Sequence, residues 1–493
     1  MTTSLRRRAP LLALACFTPL AASASTACDH LLRQFGAALA DATCVDSTDL
    51  TTTNPATTPA NDSVAGLPPF AFTPQTDRAT ISPSAGKRAP ITKVVPGLQL
   101  DARIASDPTG QARFLLRLPK DWNGRLVVAG ASGTRSEFNG DFSWSDYVLQ
   151  KGYAYASQNK GVLNLQLSTA ADPLGCRLNP VSPVFVDFYD NGPNQQFARW
   201  TQYIVKAAEL ARQGVLSNYG RMPRFTYAVG TSNGGYQVRR AMETAPELFD
   251  GGVDWEGTFV DPHAPNLLTD LPAGVLNFTD YTAGGLDPNS TAAKNIRAAG
   301  YPPDIVNSPT QSLWTNYWAA FWEVTQCQWQ KRLDPTYDTY GAGTGTYNYV
   351  ARLSASDVGA NVASFETTGR IQRPLVTVAG TMDALLPIDH HARAYARKVA
   401  AVQSSSPWEG PRHDERDAPY RLYEIQNGNH IETYQDTFPQ LALIEPHAHE
   451  AFDALVAHVE THAPLPASQC VPKGGAIAQN PAQPGHCTAL YAP

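Results

Sequence analysis

The sequence predicts an α/β fold, a mainly parallel sheet covered by helices on both faces, with one long insertion. Three observations carry the prediction. Short apolar runs of strand length alternate with stretches of helical period from residue 112 to about 258 and again from about 366. A Gly-x-Ser-x-Gly turn at residues 230–234 joins one such strand to one such helix. Two later strands each run into a loop that holds an acid or an imidazole, Asp383 and His430. Composition agrees: of 493 residues 43% are hydrophobic and 17% charged, enough for a sizeable core, and a net charge of −6 offers no basic excess for nucleic acid.

Residues 1–27 read as an export signal. Arg6, Arg7 and Arg8 precede a short apolar stretch from Pro10 to Leu20, and small residues at Ala22-Ser23-Ala24 and Ser25-Thr26-Ala27 offer cleavage sites. The stretch is too short to span a bilayer, so a secreted or periplasmic chain without membrane contact is expected. Twin-arginine export and lipidation at Cys16 are the rival readings. Without Cys16, six cysteines remain: Cys28, Cys44, Cys176, Cys327, Cys470 and Cys487. An even set in an exported chain points to disulfides, and many pairings are open. The shortest loops favour Cys28–Cys44 and Cys470–Cys487, leaving Cys176 with Cys327. The absence of a Cys-x-x-Cys pair argues against zinc or thioredoxin-like chemistry.

Residues 28–95 are expected to form the first disulfide loop and an arm, rich in Thr and Pro over 47–90. The core follows over 96–257 and 366–465. Residues 112–118, 125–129 and 153–156 have strand character, and Trp200, Ile204, Ala207, Ala208 and Ala211 mark a helix over 197–212. A strand over 225–229 and a helix over 234–243 flank the serine turn. Late strands over 375–379 and 421–425 enclose a helix over 391–402. The insertion, 258–365, predicts a lid with one clear helix, whose stripe of Trp314, Tyr317, Trp318, Phe321 and Trp322 forms a core face or, through Trp314, Trp318 and Trp322, a substrate wall. Gly341 to Gly345 read as a flexible loop, and residues 466–493 as a tail closed by the last disulfide.

Ser232 sits at the tip of the strand-to-helix turn, where flanking glycines let the backbone strain and the helix N-terminus favours a developing oxyanion. The bland alternative is a serine N-cap. A serine alcohol needs a base, and the base needs an orienting carboxylate. Chain order and placement after strands assign Asp383 as the acid, with Asp389 its rival, and His430 as the base. The rival imidazoles are His390 and His391, at a helix start, and His447 and His449, expected on a helix surface. Backbone N–H groups of Asn233 and of Ser132 and Gly133, in the small-residue loop 130–134, form the expected oxyanion hole. No metal ligand set and no cofactor motif is found, so neither is expected.

Leu118-Pro119, Asp121-Trp122-Asn123-Gly124-Arg125, Gly152-Tyr153-Ala154 and the block from Tyr219-Gly220 through Gly230-x-Ser232-x-Gly234-Gly235 to Phe249-Asp250-Gly251 together resemble the tannase and feruloyl esterase family of α/β-hydrolases. The resemblance implies an α/β-hydrolase core, a Ser232–Asp383–His430 triad, and cleavage of carboxylic esters through an acyl-enzyme. That family carries cysteines beside its serine and histidine; here those neighbours are Thr231 and Ile431. The aspartate-rich calcium loop of its lid has no counterpart in 258–365. The Ser-Asn-Gly-Gly wording also resembles secreted 3-hydroxybutyrate oligomer hydrolases. The expected partner is therefore a small or oligomeric ester. A peptidase or amidase using the same triad, and a non-catalytic binding protein on this fold, are the competing functions.

Overall fold

The computed structural model describes residues 26–59, 78–133, 136–162, 197–263, 265–337, 347–405 and 420–493. The export segment up to residue 25, the middle of the Thr/Pro-rich arm, Thr134, Cys176 and the Gly341–Gly345 loop lie outside the described residues.

The strands are β1 (Leu39–Ser47), β2 (Gly97–Ile104), β3 (Arg113–Pro119), β4 (Arg125–Ala129), β5 (Ala154–Gln158), β6 (Phe225–Thr231), β7 (Gly251–Trp255), β8 (Val306–Ser308), β9 (Gln311–Ser312), β10 (Leu375–Gly380), β11 (Tyr420–Ile425) and β12 (Gln469–Val471). Ten of them form one sheet in the order β1-β2-β3-β5-β4-β6-β7-β10-β11-β12, while β8 and β9 pair apart. The first three pairings are antiparallel, and every pairing from β5 to β12 is parallel. From β2 to β11 this is the strand order of an α/β-hydrolase.

Strand β4 shows why the sheet was legible. Leu126 and Val128 pack into one core with the helix Ala198–Tyr219, while Val127 and Ala129 pack into the opposite core with the helix Glu445–Thr461. A strand covered on both faces must be apolar at successive positions, and this one is. The helix predicted to stop near residue 212 continues to Gly220, which ends it in the left-handed region at φ 69°.

Four strands of the main sheet carried no clear signal. Residues 28–47, expected as a loop and the start of an arm, instead form a helix (Thr26–Phe35) and β1, which extends the sheet edge against β2. Strand β7 opens with two glycines, a poor strand signal. It lies mid-sheet between β6 and β10, and glycine is needed there because a Cβ on Gly252 would meet Val238 Cγ1 at 2.8 Å. The insertion is also more helical than expected. It holds Leu267–Ala283, Thr291–Ala298, Leu313–Tyr317 continuing through a π-turn into Glu323–Leu333, Tyr349–Leu353 and Val358–Ala363. Pro272 inside the first of these hides its pattern, while a capping box at Asn266 and Thr269 starts it. Leu271, Phe278, Trp314 and Trp322 are part of the apolar core of this region.

Cys28–Cys44 and Cys470–Cys487 are disulfides, and Cys327 is also disulfide-bonded. Among the described residues no helix is long and apolar enough to cross a membrane.

Candidate active site

Three strand ends converge on one rim of the sheet. Ser232 follows β6 with φ 60° and ψ −123°, a strained backbone for a residue with a side chain. Its hydroxyl makes no capping hydrogen bond to the helix it precedes, Asn233–Thr244, so the N-cap reading does not describe it. The turn is tight enough to exclude side chains: a Cβ on Gly234 would lie 2.7 Å from the Gly130 carbonyl oxygen. Asp383 follows β10, and its Oδ1 accepts hydrogen bonds from the N–H groups of Leu385 and Leu386, both at 2.7 Å. His430 follows β11. Its Nδ1 stands 2.8 Å from Asp383 Oδ2, and its Nε2 stands 2.9 Å from Ser232 Oγ. All three side chains are buried.

Electrostatics suit a base. Burial works against a charged His430, but the Asp383 charge and hydrogen bond, with Glu256, outweigh it and hold the imidazole above its ordinary value of 6.5. Glu256, immediately after β7, is the residue that sequence reasoning missed; its Oε2 lies 3.5 Å from His430 Nδ1. Among the described residues, Glu256, Asp383 and His430 are the ligand-type cluster, with atoms within 4.8 Å of one another. Asp383 takes the Nδ1 hydrogen bond, and Glu256 Oε2 makes none.

The rival groups are engaged elsewhere. Asp389 pairs with Arg393 at 3.0 Å. His390 and His391 both contact the buried Asp270, at 2.7 and 3.1 Å. His449, expected on a surface, is buried instead; burial pushes it down to about 4, and its Nε2 stands 2.6 Å from the Ser143 carbonyl oxygen. His447 lies 3.7 Å from Glu450.

The expected oxyanion loop is held by buried polar groups. The Ala131 N–H donates to Gln237 Oε1 at 2.9 Å, and Lys160 donates to the Ser132 carbonyl at 2.5 Å. The Ser132 N–H itself donates to Asn139 Oδ1 at 3.0 Å, so this amide is turned away from the site. Gly133 and Asn233 line the pocket. Asn233 is the first residue of its helix, where the N–H has no partner within the helix.

That pocket, about 410 Å³ and partly open to solvent, has Ser232 and His430 in its wall. Its apolar lining comes from Ile81, Leu267, Phe321, Leu385 and Leu386. The tryptophan stripe faces elsewhere: Trp314 and Trp322 are fully enclosed, and Trp318 stacks on Phe278 at 4.8 Å. Of the predicted stripe it is Phe321 that lines the pocket, with Thr325 one turn further on. Trp322 has a different contact, donating its indole N–H to the Ala384 carbonyl at 2.7 Å, beside Asp383.

Two further contacts fix the rim. Arg239 on the serine helix and Asp254 on β7 form a fully buried ion pair at 2.5 Å. Asp254 also accepts hydrogen bonds from Thr377 and from the Gly257 N–H. Beyond Cys487, Leu490 accepts a hydrogen bond from the Thr381 hydroxyl, and Ala492 exchanges two with the Asn427 side chain, at 2.6 and 2.7 Å.

A family model described as 3HB-oligomer hydrolase matches residues 335–490. The chain is similar to hydroxybutyrate oligomer hydrolases. One, the D-(-)-3-hydroxybutyrate oligomer hydrolase of Burkholderia thailandensis, is 32% identical over 134 residues, 25% of this chain and 17% of that protein. Its Burkholderia mallei counterpart is 31% identical over the same length. The chain thus spans about a sixth of the length of these relatives. Among solved structures, feruloyl esterase B from Aspergillus oryzae gives a TM-score of 0.47 at 15% identity, covering 86% of this chain and 88% of that one. Tannin acyl hydrolase from Aspergillus niger gives 0.47 at 12%, covering 84% and 86%.

Proposed function

We propose that this chain is an exported serine hydrolase of carboxylic esters, acting through Ser232, His430 and Asp383. The observation that carries the reading is the double engagement of His430, one ring nitrogen on the hydroxyl and the other on the carboxylate. His430 Nε2 takes the Ser232 proton as Oγ attacks the ester carbonyl. The N–H groups of Asn233 and Gly133 receive the oxyanion. His430 then protonates the leaving alcohol, and later takes a proton from the water that releases the acid from the acyl-enzyme. The disulfides favour an oxidising compartment, which fits export.

The lining of the pocket favours an uncharged, largely aliphatic acyl group, and the similarity to oligomer hydrolases supports short hydroxyalkanoate esters. Leu267, Phe321 and Thr325 of the insertion line the pocket that holds Ser232, which supports a lid role for the insertion. A panel of 3-hydroxybutyrate dimers and trimers beside methyl ferulate and methyl gallate tests this, with matched p-nitrophenyl ester and anilide for the amidase alternative. Turnover of the hydroxybutyrate esters at the highest kcat/KM is expected; turnover of the anilide alone would overturn the proposal.

Two outcomes follow from the geometry. His430 must be neutral to accept a proton, so kcat/KM is expected to fall on the acid side with a midpoint above 6.5. A measured midpoint below pH 6 would contradict the charge environment assigned to His430. Phe321→Ala is expected to raise KM about tenfold or more, since burying such a ring contributes about 1.5–3 kcal/mol. Trp318→Ala should change KM far less; the reverse ranking would place the tryptophan stripe in the substrate wall.

A further inference from the structure

The chain just after β7 holds a buried carboxyl that the triad does not use. Glu256 adopts φ 53°, the left-handed region, which strains a residue with a side chain. Its N–H donates to the Val378 carbonyl at 2.9 Å, and its Oε1 accepts from the Gly380 N–H at 2.9 Å, so both ends are tied to β10, the strand that delivers Asp383. The side chain is 1% exposed. Its Oε2 has no hydrogen-bond partner and faces His430 Nδ1 at 3.5 Å, on the side already held by Asp383.

A brace for Gly380 needs only one carboxyl oxygen. A buried oxygen left without a partner costs about 1–3 kcal/mol, and strained backbone adds to that. Both costs are accounted for if Oε2 serves the imidazole. We propose that Glu256 is a second orienting acid for His430, a positioning residue whose Oε2 takes over the Nδ1 hydrogen bond when Asp383 cannot make it. This rests on the triad reading above.

The charge balance is simple. Burial, and then the charge of Asp383, push Glu256 well above the ordinary carboxylate range. The titratable groups that act on Glu256 are Asp383, His430 and Glu432, with Tyr317 also within its field. Removing the Asp383 charge removes one cause of the upward shift. Oε2 is then freer to accept the Nδ1 hydrogen bond.

The test is a comparison of wild type, E256Q, D383N and D383N/E256Q on one p-nitrophenyl ester across pH 5–9. An orienting acid lost without replacement costs about 10⁴-fold in kcat. D383N alone is expected to lose no more than about 10²-fold, and the double variant about 10⁴-fold. E256Q should therefore cost at least about tenfold more without Asp383 than with it. The residual activity of D383N should show an acid limb that E256Q removes, a change that a bracing role would not produce. D383N/E256D keeps the charge but shortens the reach by one methylene, and is expected to fall toward the double variant. Equal kcat for D383N and D383N/E256Q at every pH would overturn the proposal, with D383N/E256D as the cross-check should the Gln variant unfold. Full activity in S232A would instead overturn the triad reading, so the two failures are distinguishable.

Discussion

Ser232→Ala is expected to lower kcat by about 10⁵–10⁶-fold, the scale seen when a serine nucleophile is removed from such a triad. Oγ is the atom that forms the acyl bond, and no other hydroxyl is shown within hydrogen-bond reach of His430 Nε2 among the described residues. The fold should be untouched. The serine hydroxyl caps no helix, and alanine meets the same backbone strain that serine already bears. The unfolding midpoint is therefore expected to stay within about two degrees, because a change under about 0.5 kcal/mol shifts a chain of this size only slightly. Labelling by a fluorophosphonate should disappear together with turnover. Activity within 100-fold of wild type would mean that another group attacks the ester.

Asp254→Ala is expected to have the largest effect on stability, about 3–5 kcal/mol, because it leaves the Arg239 charge buried without its partner. It also strips an acceptor from the Thr377 hydroxyl and the Gly257 N–H. The pair joins the serine helix to β7, so loss of stability and drift of Ser232 should appear together. Replacing both residues by apolar ones, as in R239M/D254L, should recover part of the loss, since the penalty lies in the unpaired charge rather than in the missing attraction. Chemical denaturation of the three variants gives the coupling directly. A loss below about 1 kcal/mol for Asp254→Ala would show that water reaches Arg239 in solution.

The readable parts of this chain share a cause. Strands β4, β6 and β10 are covered on both faces, so they are written in mostly apolar residues with few charges. The serine turn is written in glycines because backbone meets backbone there. Asp383 could be placed because it follows β10, and His430 because it follows β11, whose Leu422, Tyr423 and Ile425 still mark a strand. Glu256 could not, because β7 begins with glycines and depends on neighbours distant in sequence. The same limit hid the pocket wall: a stripe of tryptophans looks alike whether it faces a cavity or a core, and only packing against Phe278 and Ala384 separates the two. Ile81 was invisible for another reason. The arm that carries it reads as a polar linker, yet its Ile81 carbonyl accepts the Glu432 N–H and seats that segment against the rim.

The segment beyond Cys487 works like a backstay on a mast. It is anchored by the Cys470–Cys487 bond and pulls on Thr381 and Asn427, one just ahead of the acid and one just ahead of the imidazole. Cutting the anchor with a reducing agent should slacken both loops at once, so catalysis is expected to decline at thiol concentrations that leave the central sheet intact by circular dichroism.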